Sequence, residues 1–454
     1  MKTCIAIKAP YPDAPRTAPR GSLRIAPVLA LSGMMVLGGC DTLLDVENPN
    51  QLVQADVESP TAANALANGA LSTVARGYGE AMLLHAVASD ELQFAGSRDA
   101  WIQLQEGDLR DPANEFSDAA WPFVSEGRWM ADEAVRILAG FDAQGVLPNR
   151  TSLARARLYS AIAYTQIADL WEEFVFSDRM EDGPPIRGEG ILGLYDQSIR
   201  NLDQALPIAQ GAGNVDLQAT ILAQRARTRH ARGVRGKVLP AGSSPADPLV
   251  NDASAVADAR AALALVGPDW EFRFNFSAAT VSNNWGAWVN ERLELRPSNA
   301  YVIATSDGKR VAQVTLPDPI DNIPVPSLVS RITTAVGARQ FGPLPVVTAV
   351  ELRLIIAEAA LSAGDMGTFT EEMNRIRTQD GLSPYTGQVD ALELLKDARM
   401  AHLYLLGRRL NDHYRFGTRS FLWNEFADAA RQPGATFPIA QIERTANCFL
   451  LGTC

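Results

Sequence analysis

TSLARARLYSAIAYTQIADLWEEF, residues 151–174, carries apolar side chains at Leu158, Tyr159, Ile162, Ala163 and Ile167. That i, i+3, i+4 spacing lays them along one face of an α-helix, and Thr151 or Ser152 can cap its first turn. Small residues recur at Ala154, Ala156, Ala161, Ala163 and Ala168, where neighbouring helices must come close. A turn-rich connector, EDGPPIRGEGI (181–191), leads to three more helical stretches: LGLYDQSIRNLDQAL (192–206), DLQATILAQRARTRHARG (216–233) and NDASAVADARAALAL (251–265). Helix, short turn, helix, at roughly 30 to 40 residues per pair, is the signature of a tetratricopeptide-like array. The expected fold class is all-α.

Upstream, SPTAANALANGALSTVARGYGEAMLLHAVASDEL (59–92) opens on Ser59 followed by Pro60, as a helix N-terminus favours. Gly77 and Gly79 predict one long helix or two broken ones. A second helix is expected from about Asp118 to Leu138, with Trp121, Phe123 and Trp129 packing a helix pair. Downstream, helices resume over VVTAVELRLIIAEAALSAGD (346–365), MGTFTEEMNRIRTQDGLSP (366–384) and QVDALELLKDARMAHLYLLGRRLNDHYRFG (388–417). The last 35 residues read as one short helix and an extended tail.

Between these arrays, residues 267 to about 345 break the pattern. PDWEFRFNFS (268–277) alternates like a strand, and residues 283–326 mix short strand-like runs with Asn, Gly, Asp and Pro. An irregular, aromatic-bearing excursion on a helical scaffold is where recognition usually sits. Trp270, Asn283, Asn284, Trp285, Trp288 and Tyr301 are therefore the candidate ligand-binding residues, since flat rings suit the C–H faces of sugars and amides suit their hydroxyls. The alternative is that these rings plug the seam between excursion and helices.

The N-terminus carries a different signal. In LSGMMVLGGCDTLLDVENPN (31–50) an apolar run closes on Leu37, Gly38, Gly39 and Cys40, which reads as a lipoprotein signal cleaved before a lipidated Cys40. Residues 1–39 are then removed, 40–58 form a polar tether, and 59–454 make a single domain. An ordinary secretory signal is the alternative; a transmembrane anchor is disfavoured because Ile25 to Gly39 is short and contains Pro27. Removing residues 1–39 takes away five basic residues and one acidic, moving the formal charge from −11 to −15. So acidic a chain, without a Lys/Arg cluster, argues against nucleic acid. Cys448 and Cys454 close the chain, and in an oxidising compartment they are expected to form a small disulfide loop, with free thiols or a metal pair as alternatives.

Enzyme signals are weak. The adjacent carboxylates Asp90/Glu91, Glu172/Glu173 and Glu371/Glu372 point to different faces of a helix and read as solvated surface. His85, His230, His402 and His413 form no metal-ligand spacing, and phosphate loops, nucleophile elbows and dinucleotide fingerprints are absent. No catalytic residue, metal or cofactor is expected.

Several stretches, taken in order, resemble the SusD/RagB family of outer-membrane lipoproteins. CDTLLDVENPN (40–50) is similar to its lipidated opening and ARLYSAIAYTQIADLWEEFVF (156–176) to its first marked repeat helix. VELRLIIAEAAL (350–361) resembles its segment ending in Ala-Glu-Ala through Glu351, Ala357, Glu358 and Ala359, and MNRIRTQDGL (373–382) matches through Asn374, Ile376 and Arg377. LLGRRLNDHYRFG (405–417) resembles its late motif through Gly407, Arg409, Asp412, Arg415 and Gly417, with Leu406 where Glu is usual and Leu410 where an aromatic is usual.

The resemblance implies a tetratricopeptide-like body with inserted loops, anchored to the outer membrane by its lipid and facing the cell exterior. It also implies a binding protein that captures oligosaccharides or peptides and passes them to a SusC-like TonB-dependent transporter. The rival expectations are a periplasmic helical scaffold for a protein partner, and a glycoside hydrolase on a helical toroid.

Overall fold

The computed structural model describes residues 59–178 and 181–454. The signal segment, Cys40 and the tether to residue 58 lie outside the described residues. The longer helices are α1 (Ala63–Ser89), α2 (Glu115–Ala143), α3 (Thr151–Leu170), α4 (Leu192–Gly211), α5 (Val215–Val238), α6 (Ala253–Leu263), α7 (Pro326–Gly337), α8 (Ala349–Ser362), α9 (Met366–Gln379), α10 (Ala391–His402) and α11 (Arg409–Phe416). Consecutive helices pack as pairs, α1 on α2, α3 on α4, α5 on α6 and α8 on α9, and each pair stacks on the next. The fold is the all-α, tetratricopeptide-like body that the periodicity predicts.

Local chemistry sets the helix boundaries. Ser59 caps a short 3-10 turn, Pro60–Ala62, that leads into α1. The Asn114 side chain accepts from the amides of Phe116 and Ser117, so α2 starts earlier than expected and runs on past Leu138. Helix α1 is one unbroken element despite its glycines. The reason is packing: a Cβ at Gly77 would lie 2.7 Å from the Phe123 carbonyl oxygen of α2, and one at Gly127 would lie 2.9 Å from the Thr73 carbonyl oxygen of α1. Each glycine abuts the backbone of the other helix at the crossing and lets the two come into contact. They interrupt no helix; they close a helix pair.

Among the described residues eight short strands, β1 (Leu92–Phe94), β2 (Glu173–Val175), β3 (Pro185–Arg187), β4 (Glu271–Phe274), β5 (Leu295–Pro297), β6 (Val302–Ala304), β7 (Val311–Val314) and β8 (Leu344–Thr348), form four antiparallel pairs: β1–β5, β2–β3, β4–β8 and β6–β7. The β4–β8 ladder matches Glu271 to Thr348 and Phe274 to Leu344, so the excursion is pinched off where it leaves the body. The β1–β5 pair ties its middle back to the end of α1. Two stretches inside it depart from the strand-like reading, the first a short helical segment over residues 284–291. Residues 326–337 form helix α7, started by Pro326 at its first position, where a missing amide proton costs nothing.

The C-terminal tail returns across the first helices through three short helical turns, Asp428–Arg431, Gln441–Arg444 and Cys448–Leu451, where one was expected. The Trp423 indole donates to the Ala88 carbonyl, and the buried Arg235 guanidinium donates to Gly434 and Thr436. Cys448 and Cys454 are joined in a disulfide at the end of this tail.

Candidate ligand cleft

The six candidate residues separate by environment. Trp285 is 1% exposed and Tyr301 fully buried, and Asn283 is consumed structurally: it accepts from the Trp285 amide and donates to the Gly342 carbonyl. Trp288 packs edge-on against the stacked pair Trp101 and Phe116, with the Arg292 guanidinium over its ring. Asn284 donates to both carboxylate oxygens of Glu80 on α1. These five fasten the excursion to the helices, which is the packing alternative. They form no exposed aromatic platform, because apolar rings at such a seam gain more from mutual burial than from exposure to water.

Trp270 differs in being half-buried: it packs against the apolar core shared by α5, α6 and α8 and also borders a cleft. It precedes β4 and lines an open cleft of about 460 Å³, within the size range of small-ligand sites. One wall is β4, through Glu271 and Arg273, with Pro343, just before β8, and Pro345, within it, alongside. The facing wall is α7. Ser327, Ser330, Arg331 and Thr334 follow i, i+3, i+4, i+7 spacing and turn to the cleft, while Leu328 and Ile332 bury the other face. Gln379 and Asp380 close one end, and Gln379 donates to Asp269 at 2.7 Å. The lining thus combines an indole, prolines, hydroxyls, an amide and charges of both signs.

At the bottom, Ser327 Oγ lies 2.9 Å from an Asp380 carboxylate oxygen and 3.0 Å from His402 Nδ1. The carboxylate can only accept, so the serine donates to Asp380 and receives its own hydrogen bond from His402. That order is not a serine nucleophile facing its base, in which the imidazole nitrogen must take the serine proton. Burial holds the His402 imidazole below its ordinary pKa; Asp380 pulls the other way, and Arg331 and Arg377 add to the lowering. Sequence reasoning missed the α7 face and His402. The signal was present in PSLVSRITTAVG, whose small polar residues and single arginine fall on one helical face.

Two of the stretches that carry the family resemblance, 350–361 and 405–417, meet in a buried charge network joining α5, α8, α10 and α11. Glu358, fully buried, accepts from Arg415, from Arg399 at 3.4 Å, from His230 Nε2 at 3.0 Å and from the Val250 amide at 2.9 Å. Asp412 accepts from Arg399 at 2.9 Å and from Arg415 at 2.8 Å. Glu351 pairs with Arg227. Asp90 accepts from Arg409 at 2.8 Å and from His413 at 3.1 Å, so Asp90 and the buried Glu91 are interior groups, which corrects their reading as solvated surface. Burial alone would raise the Glu358 carboxyl; Arg415, His230 and Arg399 instead hold it well below the usual carboxylate range. Leu406 and Leu410, where the family usually has other residues, are both fully buried in apolar surroundings.

Among the described residues no group of His, Cys, Asp or Glu is arranged to hold a metal, and no helix is long and apolar enough to cross a membrane. No protein-family profile and no curated protein matches the sequence. Solved structures do match. A SusD superfamily protein from Bacteroides fragilis superposes with a TM-score of 0.59 at 14% identity, over 86% of this chain and 99% of that one. A SusD-like carbohydrate binding protein from Bacteroides vulgatus gives 0.54 at 12%, over 87% and 98%. A structure solved with a xylogluco-oligosaccharide gives 0.51 at 12%, over 78% and 83%. The chain has the SusD-like fold.

Proposed function

We propose that this chain of SusD-like fold is a lipid-anchored outer-membrane protein that captures oligosaccharides and delivers them to a SusC-like TonB-dependent transporter. The observation that carries the reading is the Trp270 cleft, an open site with one indole and several hydroxyl-matching polar groups, on a fold shared with a carbohydrate-binding relative. Capture needs no covalent step. A ring face on Trp270 removes apolar sugar surface from water, and the polar groups around it replace the water bound to the hydroxyls. Binding a preformed cleft keeps the ordering cost low. A peptide cargo is the nearest competitor, and a periplasmic scaffold for a protein partner is the competitor of another class.

The N-terminal sequence supports the anchor: Cys40 follows Leu37, Gly38 and Gly39, and the next residues are polar. Cells making the native chain are treated with an added protease, and a Cys40→Ala variant is fractionated beside them. The proposal expects the native chain to be shaved from intact cells and the variant to leave the membrane while still binding its sugar. Protection of the native chain from protease favours the periplasmic scaffold. A variant still membrane-bound after a high-salt wash sinks the anchor.

A further inference from the structure

Arg331 stands at the centre of the cleft wall with its charge almost unused. Its side chain is 24% exposed, and its nearest acid is Glu271, with Arg331 Nη2 3.7 Å from the carboxylate, beyond hydrogen-bond reach. Among the described residues no hydrogen bond falls on this guanidinium. The other arginine of the cleft, Arg273, already reaches Glu271 at 3.1 Å. The acids are similarly spoken for: Asp269 by Gln379 and Asp380 by Ser327. What the cleft leaves open is therefore a cation with five donors in a planar fork, set across from an indole.

Resting on the capture reading above, we propose that Arg331 makes this cleft selective for oligosaccharides that carry a carboxylate, the chemistry of a uronic acid residue. The guanidinium fork matches the two carboxylate oxygens side by side, and a charge-assisted pair of bonds forms where the cleft has already shed part of its water. The sugar ring that bears the acid stacks on Trp270, and Ser330 and Thr334 on the same wall as Arg331 take its hydroxyls. Glu271 is the internal counter-ion and competes with the ligand for the same guanidinium. The net negative charge of the chain does not oppose this at close range. Salt screens surface charge beyond about 8 Å, whereas the guanidinium meets the ligand at contact. Long polyanions, which extend beyond the cleft, meet that repulsion, so the preferred ligands are short or sparsely charged chains.

The test is calorimetric titration of the purified protein with matched oligosaccharide pairs differing only in whether one sugar carries a carboxylate or a hydroxymethyl group, repeated on Arg331→Gln, Arg331→Lys and Glu271→Gln. The acidic member is expected to bind at least about tenfold more tightly to the native chain, the worth of one charge-assisted bond. Arg331→Gln erases that preference by costing the acidic member far more than the neutral one, Arg331→Lys keeps part of it, and Glu271→Gln enlarges it. Equal binding of both members, with Trp270 required, overturns the selectivity and leaves capture standing. Equal loss of both members in Arg331→Gln assigns the arginine a structural role and overturns it too. Binding of peptides through their C-terminal carboxylate in place of sugars overturns it, and failure of every sugar and peptide to bind removes the capture reading with it.

Discussion

Glu358 is a carboxylate with none of its surface exposed. Its carboxylate sits between two arginines, a histidine and a backbone amide, so removing it leaves the buried Arg415 and Arg399 to share the single carboxylate of Asp412. A buried ion pair is weak evidence of net stability, but breaking one by deleting a single partner costs about 3–5 kcal/mol. Glu358→Gln is expected to lose about that much in urea unfolding, whereas Glu371→Gln on the exposed face of α9 should change stability by less than about 0.5 kcal/mol. The same network sets an acid dependence. Burial holds His230, His402 and His413 below their ordinary value of 6.5, and Glu358 and Asp412 are held below the carboxylate range by Arg399 and Arg415, against burial. The unfolded chain therefore binds more protons than the folded one below about pH 6.5, and stability falls with pH there. A second decline begins below the ordinary carboxylate values. Urea midpoints at pH 8, 6 and 5 should fall in that order; a flat profile would contradict the neutral, buried state of these histidines. None of this was legible at Asp90 and Glu91. Adjacent acids look alike whether solvated or buried, and what decides is Arg409 and His413, more than 300 residues away in sequence.

At the level of elements, periodicity carried the reading of the helices because an amphipathic face is a local property. Helices α3 to α6 and α8 to α10 follow their apolar spacing closely. The misreadings arise where a residue answers to a distant partner. Gly77 looks like a helix breaker until Gly127 is seen across the crossing, and α7 was hidden by the Pro-rich text before it. The two glycines of α2 allow a paired test. Gly127→Ala places a methyl group 2.9 Å from the Thr73 carbonyl oxygen and should cost about 1–3 kcal/mol by forcing α1 and α2 apart. Gly140→Ala, with nothing within 4 Å of the added carbon, should gain about 0.5–1 kcal/mol from helix propensity alone. Thermal unfolding of the two variants checks both signs. Of the six candidate residues in the aromatic excursion, the structure puts Trp270 on the cleft and the other five in the packed seam. Trp285, Trp288 and Tyr301 are as aromatic as Trp270, and only their packing tells the anchors of the excursion from the ring that faces the cleft.

For the whole molecule, the order of parts is a division of tasks. The stacked helix pairs give a rigid body, the β4–β8 ladder closes the neck of the excursion, and the cleft forms where that neck meets α7, α9 and α10. Strand pairing at the neck fixes the β4–β8 wall, and the buried Leu328 and Ile332 seat the α7 wall. The proposed lipid at Cys40 would hold this body at the membrane, and the disulfide at Cys448 and Cys454 ends a tail that packs over α1 to α3, away from the cleft. The central claim is that sugar is captured at Trp270, and calorimetry of the native chain and Trp270→Ala against a panel of oligosaccharides tests it most directly. Loss of one stacking ring is expected to weaken binding by about tenfold or more in protein that is still folded by circular dichroism. A panel that binds the variant as tightly as the native chain, or that binds neither, would contradict it.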